Sequence, residues 1–367
     1  MNQKIWYVEN ETGITAKMNK NNLLQLALAN SVSCLAIIGL AKNAGKTVTL
    51  NTLIREAEKA DVKLAIASYG RDGEEIDVIT LKKKPLIFIP PNTYFITTEK
   101  LFDKSSLQAE VEKETDLDTL LGGVRIYKSG FHGDSVELAG VNRGSGMAMI
   151  KKNIPDDVDL FLIDGALDRR SSAIPSLSDG MILATGAVIG NTPDLIVQRT
   201  LDEVERFTLP SCPDGKISQA VGRILENDQS GLIRNGEIIA LTYNSFGKTM
   251  VPAQYRVESG DILVYGGAFT DSAAEEILYD YRALDCTLIV RDGTRLFISR
   301  RNLNLLKKSR IRLCVYEPIK LIALTVNPYS PYNFRVDSDL LLDNMREAFG
   351  KACIKIPVFD VMSKEYL

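Results

Sequence analysis

The chain has 367 residues, and its 44 basic and 47 acidic residues leave a net charge of -3 at pH 7. This balance gives no reason to expect a nucleic-acid-binding or membrane-binding surface, because both require a clear excess of basic residues. One histidine and five widely spaced cysteines argue against a histidine-based metal centre, a disulfide framework or a zinc knuckle.

The N-terminus has neither the apolar core nor the cleavage site of a signal peptide. The longest apolar run, Leu35 to Leu40, is far shorter than the roughly 20 residues that cross a bilayer. We therefore expect a cytoplasmic protein without a membrane span.

Short apolar runs alternate with longer amphipathic segments, which predicts a mainly parallel, doubly wound α/β sheet. The predicted strands are Cys34–Gly39, Lys63–Tyr69, Pro85–Ile89, Ser135–Ala139, Leu160–Asp164, Gly180–Ala184, Ile238–Tyr243, Ile262–Val264, Thr287–Val290, Cys314–Tyr316 and Leu321–Val326. The predicted helices are Asn21–Ala29, Lys46–Glu58, Gly144–Lys152, Pro193–Phe207, Ile217–Asn227, Asp271–Ala283 and Ser338–Phe349.

The segment Ser33 to Ile54, SCLAIIGLAKNAGKTVTLNTLI, predicts a buried strand, a glycine-bounded loop and a helix in direct succession. Backbone N–H groups of such a loop surround a β-phosphate, and the helix dipole favours the anion. Lys46 is expected to reach the β- and γ-phosphate oxygens, and the Thr47 hydroxyl to bind Mg²⁺. The predicted phosphate-binding residues also include Gly39, Asn43, Ala44, Gly45 and Val48. The alternative is an ordinary strand-turn-helix with a chance Gly-Lys-Thr.

A second segment, DLFLIDGALDRR from Asp159, predicts an apolar strand that ends at Asp164. An aspartate at this place has the layout of a Walker B residue, which holds Mg²⁺ beside the loop threonine. The alternative role of Asp164 is a turn or a helix cap.

Asp72 follows the predicted strand Lys63–Tyr69 in KLAIASYGRDGEEID. A carboxylate after this strand could orient the magnesium or the attacking group, so Asp72 joins Lys46 and Asp164 as a candidate catalytic residue. A polar turn around Gly70 and Gly73 is the alternative.

The predicted strand Leu321–Val326 ends in Asn327-Pro328, and Asn327 could contact the edge of an adenine base. The chain contains no guanine-reading Asn-Lys-x-Asp sequence, so the expected ligands are ATP and Mg²⁺.

Two prolines and a glycine between Leu209 and Gly215 suggest a domain boundary. We therefore expect an N-terminal hairpin at 1–20, a nucleotide-binding domain at 21–208, and a C-terminal α/β extension or second domain at 209–367.

The loop GLAKNAGKT resembles the G-x-x-x-x-x-G-K-T loop of dethiobiotin synthetase and of the wider MinD-like class of P-loop ATPases. The chain order of Lys46, Asp72 and Asp164 is similar to that class. Ala41 stands where MinD-like loops carry their deviant lysine. No residues match those with which dethiobiotin synthetase holds its substrate.

Over its whole length the chain resembles a reactivase subunit of lysine 5,6-aminomutase, through GLAKNAGKTVTLN, SYGRDGEE, LIDGALDRRS, GGAFTD and TVNPYSP. This resemblance implies an ATPase that helps an adenosylcobalamin-dependent aminomutase exchange damaged cobalamin, together with a second reactivase subunit. Two other classes stay open: a ligase that activates a carboxylate, and a nucleotide-binding module without turnover. The sequence also leaves open whether the protein forms a homodimer.

Overall fold

The computed structural model describes residues 22–69, 86–141, 143–165, 176–243 and 254–362. The predicted hairpin at 1–20 and Asp72 lie outside these ranges. The chain forms two compact units: the first holds the described chain up to Val197 and resumes at Leu321, and the second is Gln198–Lys320.

The described strands are β1 (Cys34–Gly39), β2 (Leu64–Ser68), β3 (Ile87–Ile89), β4 (Tyr94–Thr98), β5 (Ala109–Thr119), β6 (Gly122–Ser129), β7 (Asp134–Val136), β8 (Leu160–Asp164), β9 (Gly180–Gly186), β10 (Gln229–Arg234), β11 (Glu237–Tyr243), β12 (Ile262–Tyr265), β13 (Phe269–Thr270), β14 (Thr287–Val290), β15 (Leu296–Phe297), β16 (Arg312–Val315), β17 (Leu321–Asn327) and β18 (Val358–Asp360). The described helices are α1 (Leu23–Ala29), α2 (Lys46–Lys59), α3 (Glu99–Phe102), α4 (Gly144–Asn153), α5 (Pro193–Phe207), α6 (Lys216–Leu225), α7 (Asp271–Tyr281), α8 (Arg300–Lys308) and α9 (Ser338–Lys351). No helix among them combines the length and the apolar character that a membrane span requires.

The described part of the first unit contains a nine-stranded sheet in the order β18-β17-β9-β1-β8-β2-β4-β6-β5. Neighbours pair in parallel from β18 through β4, whereas β6 runs antiparallel to both β4 and β5. The expected α/β class with a mostly parallel sheet is therefore confirmed.

Side chains of β1 alternate between two hydrophobic cores. Leu35 and Ile37 pack in the core that includes residues of α1 and α2, whereas Cys34 packs in the core that includes Met147 and Ile150 of α4. All six residues of β1 are buried, as expected for a parallel strand covered on both faces. An apolar run of this kind therefore marks the middle of the sheet.

The sequence did not predict the strands at one edge of this sheet. Strand β5 reads AEVEKETDLDT, and most of its residues are exposed. Its pairing with β6 also shifts register twice. Charged side chains and irregular pairing protect an open sheet edge from other chains, and the same features remove the apolar alternation that predicts a strand.

The described part of the second unit contains a five-stranded sheet in the order β11-β10-β12-β14-β16. Strands β12, β14 and β16 are parallel, and β10 runs antiparallel to its two neighbours. Leu288 and Val290 share one core with residues of α7 and α8, and Ile289 shares another with residues of α6. This unit therefore has its own sheet and its own hydrophobic cores.

The two units do not follow the predicted boundary between residues 208 and 209. Strand β17 pairs in parallel with β9, and β18 pairs with β17, so the end of the chain belongs to the first sheet. All five residues from Ile322 to Val326 in β17 are at most 5% exposed and form part of the buried centre. Because β9 and β17 are far apart in the sequence, no local sequence pattern predicts that they pair.

Candidate phosphate-binding site

The candidate site lies at the carboxyl end of β1, which runs between β9 and β8. The chain leaves β1 after Gly39, turns through Leu40–Gly45 and enters α2 at Lys46. The backbone N–H of Leu40 donates to the carbonyl oxygen of Ala184 at 2.8 Å, which ties the start of the loop to β9. In open α/β sheets, ligands bind at this edge, outside the carboxyl ends of parallel strands.

Two residues of the loop adopt left-handed backbone conformations. Asn43 has φ 65° and Gly45 has φ 104°. Glycine reaches this region without steric cost, and asparagine tolerates it better than most residues. Gly45 is also the N-cap of α2 and offers no side-chain hydrogen bond to the helix. The first N–H groups of α2 therefore face the loop without a side-chain cap, an arrangement that suits an anion.

The side chain of Lys46 runs back across Gly39. A Cβ atom placed on Gly39 would lie 2.8 Å from Cγ and 3.1 Å from Cδ of Lys46. Only glycine at position 39 leaves room for this path, so the lysine stem lies along the loop. The structure thus brings together the first glycine of the motif and its lysine, as the phosphate-binding prediction requires.

The other predicted loop residues surround this pair. Ala44 is 1% exposed, and Asn43 is exposed at the turn. Thr47 and Val48 are half-buried in the first turn of α2. The hydroxyl of Thr47 therefore belongs to the helix turn that follows the loop, which is the position expected of a magnesium ligand.

Asp164 is the last residue of β8, the strand beside β1. It pairs in register with Ile37 on one side and with Ser68 on the other. The side chain is 7% exposed, and the next residue, Gly165, donates its N–H to the carbonyl oxygen of Ile37 at 3.0 Å. Asp164 therefore ends its strand at the same edge of the sheet as the loop.

The side chains of Thr47 and Asp164 carry oxygen atoms, the atom type that Mg²⁺ prefers as a ligand. Within the described ranges, no group of three or more His, Cys, Asp or Glu residues could hold a metal ion by itself. Mg²⁺ usually keeps several waters and uses one or two protein oxygens together with substrate phosphates, so these two residues fit the ion. The third predicted ligand, Asp72, lies outside the described residues.

Asn327 ends β17 and touches the loop. Its amide nitrogen donates to the carbonyl oxygen of Asn43 at 3.4 Å, and its Oδ1 accepts the N–H of Tyr329 at 3.0 Å. A Cβ atom on Gly45 would lie 3.0 Å from the Cβ of Asn327. The predicted base-contacting residue therefore supports the loop that leads into α2.

Sequence patterns did not indicate three residues that position this support. The hydroxyls of Thr49 in α2 and Thr325 in β17 are 2.8 Å apart and buried. A Cβ atom on Gly186 would lie 2.0 Å from the carbonyl oxygen of Asn327, so glycine allows β9 to approach the end of β17. Both contacts join segments that are distant in the chain, so no local sequence pattern predicts them.

The amino end of β1 is held by Asp179. This carboxylate accepts hydrogen bonds from the Ser33 hydroxyl at 2.6 Å and from the backbone N–H of Cys34 at 2.9 Å. Burial alone would raise the pKa of Asp179, but these hydrogen bonds and the positive charge of Lys151 lower the pKa below its ordinary value of 3.8. The ionised form of Asp179 therefore fixes the strand that carries the loop.

Comparison of the chain with protein-family models, with curated proteins and with solved structures gave no match. The functional interpretation of the site therefore depends on its own residues. These form a loop with a glycine at each end, a lysine that lies along the loop, a helix N-terminus without a side-chain cap, and a carboxylate on the neighbouring strand.

Proposed function

We propose that this protein binds ATP with Mg²⁺ at the loop Gly39–Gly45 and hydrolyses the γ-phosphate. The observation that supports this function best is the path of Lys46 across Gly39, with Cγ only 2.8 Å from the place of an added Cβ. A lysine that follows the backbone of a glycine-bounded loop at a helix N-terminus has the arrangement of a P-loop.

Each residue at the site has a role in this proposal. The backbone N–H groups of the loop and of the first turn of α2 bind the β-phosphate, and Lys46 neutralises charge on the β- and γ-phosphate oxygens. Thr47 and Asp164 would hold the metal ion, which supplies further charge neutralisation when bound. Water attacks the γ-phosphorus in line, the bond to the β–γ bridging oxygen breaks, and ADP and phosphate leave. Asp72 keeps its predicted role of orienting the magnesium or the attacking group.

We extend the proposal to the partner: hydrolysis serves to reactivate an adenosylcobalamin-dependent aminomutase. Two things support this extension, namely the resemblance of GLAKNAGKTVTLN, GGAFTD and TVNPYSP to a reactivase subunit, and a second unit, Gln198–Lys320, with its own sheet and cores. A separate unit of this kind offers a surface for a protein partner.

The test of the ATPase is phosphate release by the purified chain with ATP and Mg²⁺. We expect turnover that stops when the metal is chelated, falls at least about 100-fold in Lys46→Ala, and requires more Mg²⁺ in Asp164→Asn. The matched controls are Lys59→Ala, at the far end of α2, and Asp159→Asn, just before β8, and both should behave like the wild type. Equal turnover in Lys46→Ala and Lys59→Ala would refute the site.

The partner is tested separately. Lysine 5,6-aminomutase inactivated with hydroxocobalamin is incubated with the chain, a second reactivase subunit, adenosylcobalamin and ATP. Recovery of mutase activity that Lys46→Ala cannot support is the expected result. ATP turnover without recovery would refute the partner and leave the ATPase standing.

A further inference from the structure

A groove lies on the second unit between α7 and α8, far along the chain from the phosphate-binding loop. Its volume is about 810 Å³. The two helices are parallel to one another, because α7 connects the parallel strands β12 and β14, and α8 connects β14 and β16. The groove therefore runs along two parallel helices of similar length.

The wall from α8 combines one apolar residue with two cations. Arg301, Leu305 and Lys308 line the groove at positions i, i+4 and i+7, which places them on one face of the helix. Leu305 is 42% exposed. This face therefore presents an uncovered leucine between a guanidinium and an ammonium group.

The wall from α7 repeats the pattern. Glu275, Leu278, Tyr279 and Arg282 line the groove, again along one helical face. Tyr279 is 88% exposed, so its ring is open to solvent over most of its surface. Exposed aromatic rings beside arginine are typical of the energetic centre of protein interfaces.

Hydrogen bonds hold both ends of the groove. The side-chain amide of Asn302 donates to Asp271 at 2.7 Å and to Glu275 at 3.3 Å, and the backbone N–H of Arg310 donates to the carbonyl oxygen of Arg282 at 3.3 Å. Asn302 is 2% exposed, so its contacts fix the spacing of α7 and α8. A groove that is already formed does not have to be ordered at the expense of binding energy.

The groove carries a net positive charge. Arg282, Arg301 and Lys308 face a single acid among its lining residues, Glu275. Other cations of α8 are engaged elsewhere: Arg300 pairs with Asp202 at 3.2 Å, and Lys307 pairs with Glu205 at 2.7 Å. By contrast, Arg301 and Lys308 form no ion pair within the described ranges.

We propose that this groove binds an acidic amphipathic helix of a partner protein. The apolar face of such a helix covers Tyr279 and Leu305, and its carboxylates meet Arg282, Arg301 and Lys308. Arg301 and Lys308 are seven residues apart, or about 10 Å along α8, which matches roughly two turns of the bound helix. The walls are helices whose backbone groups are paired internally, so an extended strand would find no sheet edge here.

The test uses a fluorescein-labelled peptide of about 18 residues, with leucines along one helical face and glutamates beside them. Fluorescence anisotropy measures its binding to the full chain. Two peptides serve as references: one with the same composition and scrambled leucine positions, and one with lysine in place of every glutamate. We expect the designed peptide to bind and neither reference peptide to do so.

Matched variants locate the binding. We expect the double variant Arg301→Glu/Lys308→Glu to bind the designed peptide about tenfold or more weakly than the wild type does. Both charged contacts change from attraction to repulsion. Lys216→Glu/Arg223→Glu makes the same change of charge on α6 and should leave the affinity unaltered. Tyr279→Ala removes an exposed ring without disturbing the core, and it should also weaken binding. Circular dichroism and thermal melting confirm that each variant is folded.

Three results would overturn the proposal. The first is no binding of the designed peptide, and the second is equal binding of the scrambled or lysine-bearing peptide. The third is a stable dimer in light scattering that Tyr279→Ala dissociates, which would assign the groove to a second copy of this chain. The phosphate-binding site is not involved in any of these measurements, so they do not depend on the proposed function.

Discussion

Asn327 and Asn43 lie 284 positions apart in the sequence, and the side-chain amide of Asn327 donates to the carbonyl oxygen of Asn43 at 3.4 Å. The last segment of the first unit therefore supports the turn of the phosphate-binding loop. Asn43 has a left-handed backbone, which is uncommon for residues other than glycine, and this hydrogen bond acts on that residue.

Replacing Asn327 by alanine is expected to weaken nucleotide binding about 3- to 10-fold, the loss of one hydrogen bond and of the order that it gives the loop. If Asn327 acts on the loop, ATP and GTP lose affinity by the same factor. Calorimetric titration with ATP and with GTP distinguishes support of the loop from contact with the adenine base. A loss confined to ATP would instead identify Asn327 as the contact to the base.

Gly45→Ala should destabilise the protein and impair nucleotide binding. Residue 45 has φ 104°, and an added Cβ would lie 3.0 Å from the Cβ of Asn327. Left-handed backbone alone costs a non-glycine residue about 1–2 kcal/mol, so we expect the free energy of unfolding to fall by about 1–3 kcal/mol.

The matched control for Gly45→Ala is Gly350→Ala in α9, where nothing lies within 4 Å of an added Cβ. Alanine is the better helix former, so this change should stabilise the protein by up to about 1 kcal/mol. Thermal melting compares the two variants. A Gly45→Ala protein as stable as Gly350→Ala would contradict the described conformation of the loop.

The buried hydroxyl pair of Thr49 and Thr325 should behave as a coupled unit. Thr49→Val leaves the Thr325 hydroxyl buried without this partner, at a cost of about 1–2 kcal/mol. Thr325→Val should cost less, because the Thr49 hydroxyl still donates to the carbonyl oxygen of Gly45 at 3.1 Å. The double variant removes both groups, so its cost should be smaller than the sum of the single costs by about 0.5–1 kcal/mol. Urea unfolding of the four proteins measures this coupling, and strictly additive costs would rule it out.

Asp179 should make stability depend on pH. Because folding lowers its pKa, the stabilisation is fully present above the ordinary value of 3.8 and is lost as pH falls through the lower folded value. Asp179→Asn should therefore cost about 1 kcal/mol near pH 7, a figure that allows for the partial exposure of the side chain. The difference from the wild type should begin to shrink as pH falls below about 4 and should vanish below the folded pKa.

The control for this titration is Asp156→Asn, an exposed aspartate on the connection between α4 and β8. Its stability should stay within about 0.5 kcal/mol of the wild type at every pH. Chemical denaturation between pH 3 and pH 8 gives the two curves. A gap between Asp179→Asn and the wild type that persists below the folded pKa would show that the carboxylate charge is not responsible.

Local patterns predicted much of this fold. The bounds of β1, β8, β14 and α5 agree with the sequence prediction residue for residue, because each is an apolar or amphipathic run bounded by turn residues. Strands β4, β5 and β6 were not predicted. The charged residues of β5 give no apolar period, and pairing with β6 is decided by the tertiary structure.

The same distinction applies to the site. The strand, the loop and the lysine follow one another in the chain, so their motif predicts their positions. Thr325, Gly186 and the hydrogen bond from Asn327 to Asn43 depend on β17 joining the first sheet beside β9. Residues that support a loop from another part of the chain carry no spacing relative to it, and sequence alone could not identify them.

The most direct test of the central claim is equilibrium binding of ATP in the presence of Mg²⁺, measured by titration calorimetry for the wild type, Lys46→Ala and Lys59→Ala. We expect one site per chain and an affinity that falls at least about 10- to 100-fold in Lys46→Ala, since charge-assisted hydrogen bonds to phosphate are lost. Lys59→Ala should bind like the wild type. Equal affinity in all three proteins, or no binding by the wild type, would contradict the assignment of Gly39–Thr47 as the phosphate-binding loop.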